Sequence, residues 1–122
     1  MEIQAGDIFW SQVYYPSTGK TATRPIVVYG FDDGNPLICQ FTIITTRKIK
    51  DFDQHIEKWK VPLFKWQQAG LREPSYAKVN CLAAVNSPDL LKLDYIGRLD
   101  RTDLKRVQNE IVEFINSDDE AW

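Results

Sequence analysis

Thr23-Arg24-Pro25-Ile26-Val27-Val28-Tyr29 decides how this chain is read. Pro25 has no N–H and a fixed φ, which suits the first residue of a strand. Ile26, Val27 and Val28 are β-branched and read as a buried strand. Arg24 then stands at the mouth of that strand, at the end of a polar loop, Pro16 to Thr23. A guanidinium held at a rigid strand end offers a planar fork to a phosphate. The commoner origin of an Arg-Pro pair is an ordinary exposed loop. The segments on either side choose between the two.

Downstream, Asp32-Asp33-Gly34-Asn35-Pro36 is a tight turn with a glycine available for positive φ. Leu37 to Thr45 follows as a strand rich in β-branched and aromatic residues. Two strands joined by a short Asp-Gly turn pair antiparallel. The start of one therefore lies beside the end of the other, and Arg24 comes next to Thr45. Upstream, Gly6-Asp7 opens a strand, Ile8 to Tyr14, before the hydroxyl-rich loop Ser17-Thr18-Gly19-Lys20-Thr21.

Thr46-Arg47-Lys48-Ile49-Lys50 forms a short basic run beyond Thr45. It reads either as phosphate contacts beside Arg24 or as lysines that discourage edge pairing. Glu57 to Phe64 is expected to be a strand. Gln67 to Pro74 is a loop or one helical turn ended by Gly70, and Ser75 to Asn86 returns to the sheet. Ser87-Pro88-Asp89-Leu90-Leu91 reads as a short helix with Ser87 as N-cap. Tyr95 to Leu99 is a short extended piece. The closing helix is capped by Asp100, with Asp103 in its first turn. Leu104, Val107, Ile111, Phe114 and Ile115 recur at helical spacing and form its apolar face. The expected fold is mainly β with a C-terminal helix (α+β): five to seven short antiparallel strands in a small barrel. One domain spans residues 1–116, and residues 117–122 form an acidic, mobile tail.

The 122 residues carry a net charge of −2, so a strongly basic nucleic-acid binder is not indicated. The charge is uneven. Residues 1–78 hold ten Lys/Arg against eight Asp/Glu, and residues 79–122 hold five against nine. A polyanion site belongs in the first part. Cys39 and Cys81 are too few for a disulfide scaffold or a zinc site and read as small buried hydrophobes. No metal-ligand cluster, phosphate-binding glycine loop or nucleophile elbow occurs, so no metal or cofactor is expected. His55, the single histidine, is either an acid–base group or a surface residue. The chain shows no leader or membrane span, and the default location is the cytoplasm. Among the few chemistries left open is RNA cleavage, in which the substrate's own 2′-hydroxyl is the nucleophile.

Five pieces stand in a characteristic order. They are Gly6-Asp7-Ile8-Phe9-Trp10, Arg24-Pro25-Ile26-Val27-Val28, Ile44-Thr45-Thr46, Ala69-Gly70-Leu71 with Pro74-Ser75-Tyr76, and Ile96-Gly97-Arg98-Leu99 before a closing helix. Together they resemble the MazF/PemK family of type II toxin–antitoxin toxins over residues 4–116. The resemblance implies an SH3-like barrel of the MazF/PemK/CcdB kind, a homodimer, and metal-independent endoribonuclease activity on single-stranded RNA. It implies cleavage to 2′,3′-cyclic phosphate and 5′-hydroxyl ends, and a cognate antitoxin partner. It carries the catalytic roles onto Arg24, which would stabilise the phosphorane, and Thr45, with Thr46 as a one-residue alternative. Ser17, Thr18, Gly19, Lys20 and Thr21, together with Thr46, Arg47 and Lys48, would bind RNA. The family's loop commonly carries a Gly-Ser/Lys-Glu stretch before Arg-Pro, which is absent here. Two other readings compete: a non-catalytic module that binds nucleic acid or protein, and a gyrase poison of the CcdB type.

Overall fold

Asp33 and Gly34 both take positive φ, 48° and 73°. This two-residue turn joins β2 (Lys20–Asp32) to β3 (Asn35–Thr45), and its twist matches that of the strands it connects. In the computed structural model, which describes residues 1–48 and 57–122, six antiparallel strands form one curled sheet, a half-barrel. The others are β1 (Asp7–Tyr15), β4 (Lys60–Leu63), β5 (Ser75–Asn86) and β6 (Tyr95–Arg98), in the order β4-β5-β3-β2-β1-β6. The helix α1 (Ser87–Leu90) follows β5, and α2 (Arg101–Ile115) closes the fold. No described helix is long and apolar enough to cross a membrane.

Alternation along the strands buries both faces of the sheet. Ile8, Val27, Ile44, Ala77 and Val79 point to one side and pack against Val107, Ile111 and Phe114 of α2. Phe9, Val13, Ile26, Val28 and Ile43 point to the other and pack with both cysteines and Leu90. Ile26, Val27 and Val28 are at most 1% exposed, and burial of each contributes about 1.5–3 kcal/mol. Burial also raises the pKa of both cysteine thiols.

Several expectations are corrected. Lys20–Thr23 belong to β2 rather than to a loop, because Tyr15 to Ile8 pair with Lys20 to Val27 without a break. Only Pro16–Gly19 form the turn. Arg24 is therefore not at the mouth of β2 but within it, opposite Ser11. Pro25 still ends a ladder: pairing with β3 stops at Ile26↔Ile43, where proline has no N–H to offer. Glu57–Trp59 are a single 3-10 turn, and the strand is only Lys60–Leu63. Asn86, not Ser87, caps α1, its side chain accepting from Asp89 N. Ile115 lies off the apolar face of α2 and is 63% exposed.

Asp103 is not a surface acid tuned to a helix dipole. It is 1% exposed and accepts from the Phe64 and Lys65 backbone N–H groups and from Arg106. It pins the end of β4 to α2. The acidic tail is docked rather than mobile. Asp119 accepts from Trp59 Nε1 and pairs with Lys58. Trp122 packs edge-on against Tyr15 and donates to the Asn80 and Leu82 carbonyls.

One backbone contact places the loop that follows β4. A Cβ built on Gly97 of β6 would lie 2.1 Å from the Ala69 carbonyl oxygen. Gly70, at φ +89°, crosses beside Ile96 at the same point. The two chains touch backbone to backbone, which only glycine allows. Gly97→Ala is expected to cost about 2–3 kcal/mol in urea unfolding. A loss below about 0.5 kcal/mol would show that the loop is not held this way.

Candidate functional site

The β2–β3 register, carried two residues past Ile26↔Ile43, sets Arg24 across from Thr45. Both residues line a cleft of about 590 Å³ at this end of the sheet. Thr46 and Arg47 line it from the chain leaving β3, and Arg72 and Glu73 from the loop held against β6. Trp10 and Tyr95 also reach it. The short basic run thus divides: Arg47 lines the cleft, and Lys48 is exposed outside its lining. Ser17, Thr18, Gly19, Lys20 and Thr21 lie at the far end of the β1–β2 hairpin, all exposed, and do not line the cleft. Their turn is closed by Gly19 N donating to the Tyr15 carbonyl. His55 lies outside the described residues, as do Ile49 and Lys50.

Arg24 makes one intramolecular hydrogen bond among the described residues, from a terminal nitrogen to the Thr23 carbonyl at 2.8 Å. The rest of its fork meets no partner among the described residues. Thr45 Oγ1 accepts from Arg47 N at 3.2 Å, so its O–H remains able to donate. No ion pair between described residues engages Arg24, Arg47, Arg72 or Glu73. Among the described residues, three guanidiniums against one carboxylate line the cleft, an electropositive balance within a chain of net charge −2. A hydroxyl donor and a planar cation on adjacent strands suit a phosphodiester.

Behind the cleft stands a buried carboxylate. Asp7 is fully buried and accepts from Arg98 Nε at 2.7 Å, from the Gln4 N–H and from the Tyr95 hydroxyl at 3.3 Å. The Arg98 pKa rises because of this hydrogen bond and charge, and that of Tyr95 rises through burial and then the Asp7 charge. The Tyr95 ring meets Phe9 edge-on at 5.5 Å. Asp7 thus locks β6 onto β1 and holds one wall of the cleft.

A larger, more open groove of about 690 Å³ runs between Lys58 and α2. Its lysine already pairs with Asp119 at 2.7 Å, and Glu110 and Glu113 line it. It is the poorer site for an anion.

Sequence reading brought Arg24, Thr45, Thr46 and Arg47 together. It missed Arg72, Glu73, Trp10 and Tyr95. The pieces Ala69-Gly70-Leu71 and Pro74-Ser75-Tyr76 flank two of these and were the available signal.

A curled six-stranded sheet with a closing helix and this cleft defines a MazF-like fold. A chain of the crystal structure of MazE-MazF (Form-II) from Deinococcus radiodurans superposes with a TM-score of 0.62 at 15% identity, covering 94% of this chain and 96% of that one. The Mycobacterium tuberculosis toxin MazF-mt6 superposes with a TM-score of 0.60 at 17% identity, covering 92% and 98%. No curated protein matches the sequence. The family described as PemK-like, MazF-like toxin of type II toxin-antitoxin system matches residues 4–115. The chain belongs to that toxin family.

Asp7 and Arg24 should separate on mutation. Asp7→Ala is expected to cost about 1–3 kcal/mol, because it removes a buried acceptor of three hydrogen bonds, one of them from the half-exposed Arg98. Arg24→Ala should stay within about 0.5 kcal/mol of wild type. Thermal and urea unfolding check both, and a large loss at Arg24 would make that residue structural.

Proposed function

We propose that the protein is a sequence-specific endoribonuclease toxin that cleaves single-stranded RNA at the Arg24–Thr45 cleft without a metal ion. The observation that carries this reading is a guanidinium with most of its fork unused among the described residues, beside a hydroxyl that donates to none of them, on neighbouring strands of one cleft. Cleavage through the 2′-hydroxyl asks the protein to align the strand and to stabilise charge on the pentavalent phosphorus. Arg24 faces the developing charge with its fork, and Thr45 donates to a non-bridging oxygen, with Thr46 beside it. Arg47 and Arg72 hold flanking phosphates. Ser17, Thr18, Gly19, Lys20, Thr21 and Lys48 would meet RNA only where it runs beyond the cleft.

The Deinococcus radiodurans relative is a MazE-MazF structure. By analogy, an antitoxin binds this chain and blocks the cleft. A homodimer fits the exposed Tyr14, Leu37 and Leu91, large apolar groups on a small domain. Light scattering at micromolar concentration should give twice the 14.2 kDa chain mass. A monomer there would remove the dimer from the account.

Long single-stranded RNA incubated with the purified protein, with and without EDTA, tests the activity. Cleavage at a short motif that survives EDTA and leaves 5′-hydroxyl ends is expected. Arg24→Ala should lower the rate by about 10²–10³-fold and abolish growth arrest. Undiminished cleavage by that variant would displace Arg24. Absence of cleavage by folded wild-type protein would favour the binding-only module.

A further inference from the structure

The proposed reaction leaves one role unfilled: a group that takes the proton of the attacking 2′-hydroxyl. The guanidiniums of Arg24, Arg47 and Arg72 cannot take it, because a guanidinium only donates and offers no acceptor. Thr45 already accepts the Arg47 N–H, and a neutral hydroxyl is a weak base. Pro16 to Thr23, the hairpin end that the family resemblance assigns to RNA, contains no carboxylate and no imidazole. Among the described residues, one carboxylate lines the cleft, that of Glu73.

Glu73 is exposed, and no ion pair between described residues engages it. Its loop is nonetheless held at both ends. Gly70 is fixed against Ile96 on one side. On the other, Ser75, 4% exposed, donates its Oγ–H to the Glu73 carbonyl at 2.8 Å. The backbone is anchored while the carboxylate pairs with none of the described cations, as a base poised for an incoming proton requires.

The geometry points to Glu73 as the general base of the reaction, an inference that rests on the ribonuclease reading above. Its carboxylate takes the 2′-hydroxyl proton as the 2′-oxygen bonds to phosphorus. The bond from phosphorus to the 5′-oxygen breaks, and its electron pair leaves with that oxygen, which takes a proton from water. Glu73 then returns its own proton to solvent. Trans-esterification is complete with no other reactant.

The test uses an RNA oligonucleotide spanning a cut site mapped on long RNA, and the same oligonucleotide with 2′-deoxyribose at the cut. Single-turnover rates are measured across pH for wild type, Glu73→Gln and Glu73→Asp. Glu73→Gln should cleave about 10²–10⁴-fold more slowly and lose the acid limb of the pH profile. It should bind the uncleavable oligonucleotide within about threefold of wild type, and Glu73→Asp should recover part of the rate and the acid limb. A Glu73→Gln enzyme with the wild-type rate and profile would overturn the assignment. So would a changed cleavage motif at full rate, which would make Glu73 a reader of bases. If wild type itself leaves RNA intact, the ribonuclease reading fails and the assignment fails with it.

Discussion

The backbone of Gly97 lies where no other residue's could, against the Ala69 carbonyl. The cleft depends on that contact. β6 pairs with β1, and β1 pairs with β2, which carries Arg24. The loop from Ala69 to Pro74 is pressed onto β6 from the other side. Arg72 and Glu73 thus face Arg24 and Thr45 because two stretches of backbone meet without side chains between them. Asp7 reinforces the same joint from within, its carboxylate tying Arg98 and Tyr95 of β6 to the start of β1. A strand of four residues has few ladder bonds of its own, so these two devices hold it.

The acidity of the chain also makes sense at this level. A protein of net charge −2 is an unpromising polyanion binder on paper. Several of its acids, however, are spent inside the fold. Asp7 is paired with Arg98, Asp103 with Arg106 and two backbone N–H groups, Glu57 with Lys60, and Asp119 with Lys58 and Trp59. Among the described residues, the cleft keeps three arginines and one glutamate. Local charge, not the total, is what an anion in the cleft would meet.

What was legible in the sequence was local. Asp33-Gly34 fixed a hairpin, and the hairpin fixed Arg24 beside Thr45 by register alone. Runs of β-branched and aromatic residues marked the strands, and helical spacing marked most of α2. What escaped depended on distant contacts. Arg72 and Glu73 sit in a loop whose course is set by a glycine more than twenty residues away. Asp103 was read as a dipole acid because first-turn acids usually are; only the fold brings Phe64 and Lys65 to it. The tail looked mobile from its charge, yet Asp119 and Trp122 dock on groups at least forty residues earlier. Ile115 fits the helical period but is the last residue of α2 and stays exposed.

The most direct measurement is a structure of the protein with a single-stranded oligonucleotide blocked at its cut site by 2′-deoxyribose. The account predicts the scissile phosphate between the Arg24 guanidinium and the Thr45 hydroxyl, with the sugar's 2′ position turned toward Glu73. Nucleic acid seated elsewhere, for example along the groove between Lys58 and α2, with the Arg24–Thr45 cleft empty, would contradict it.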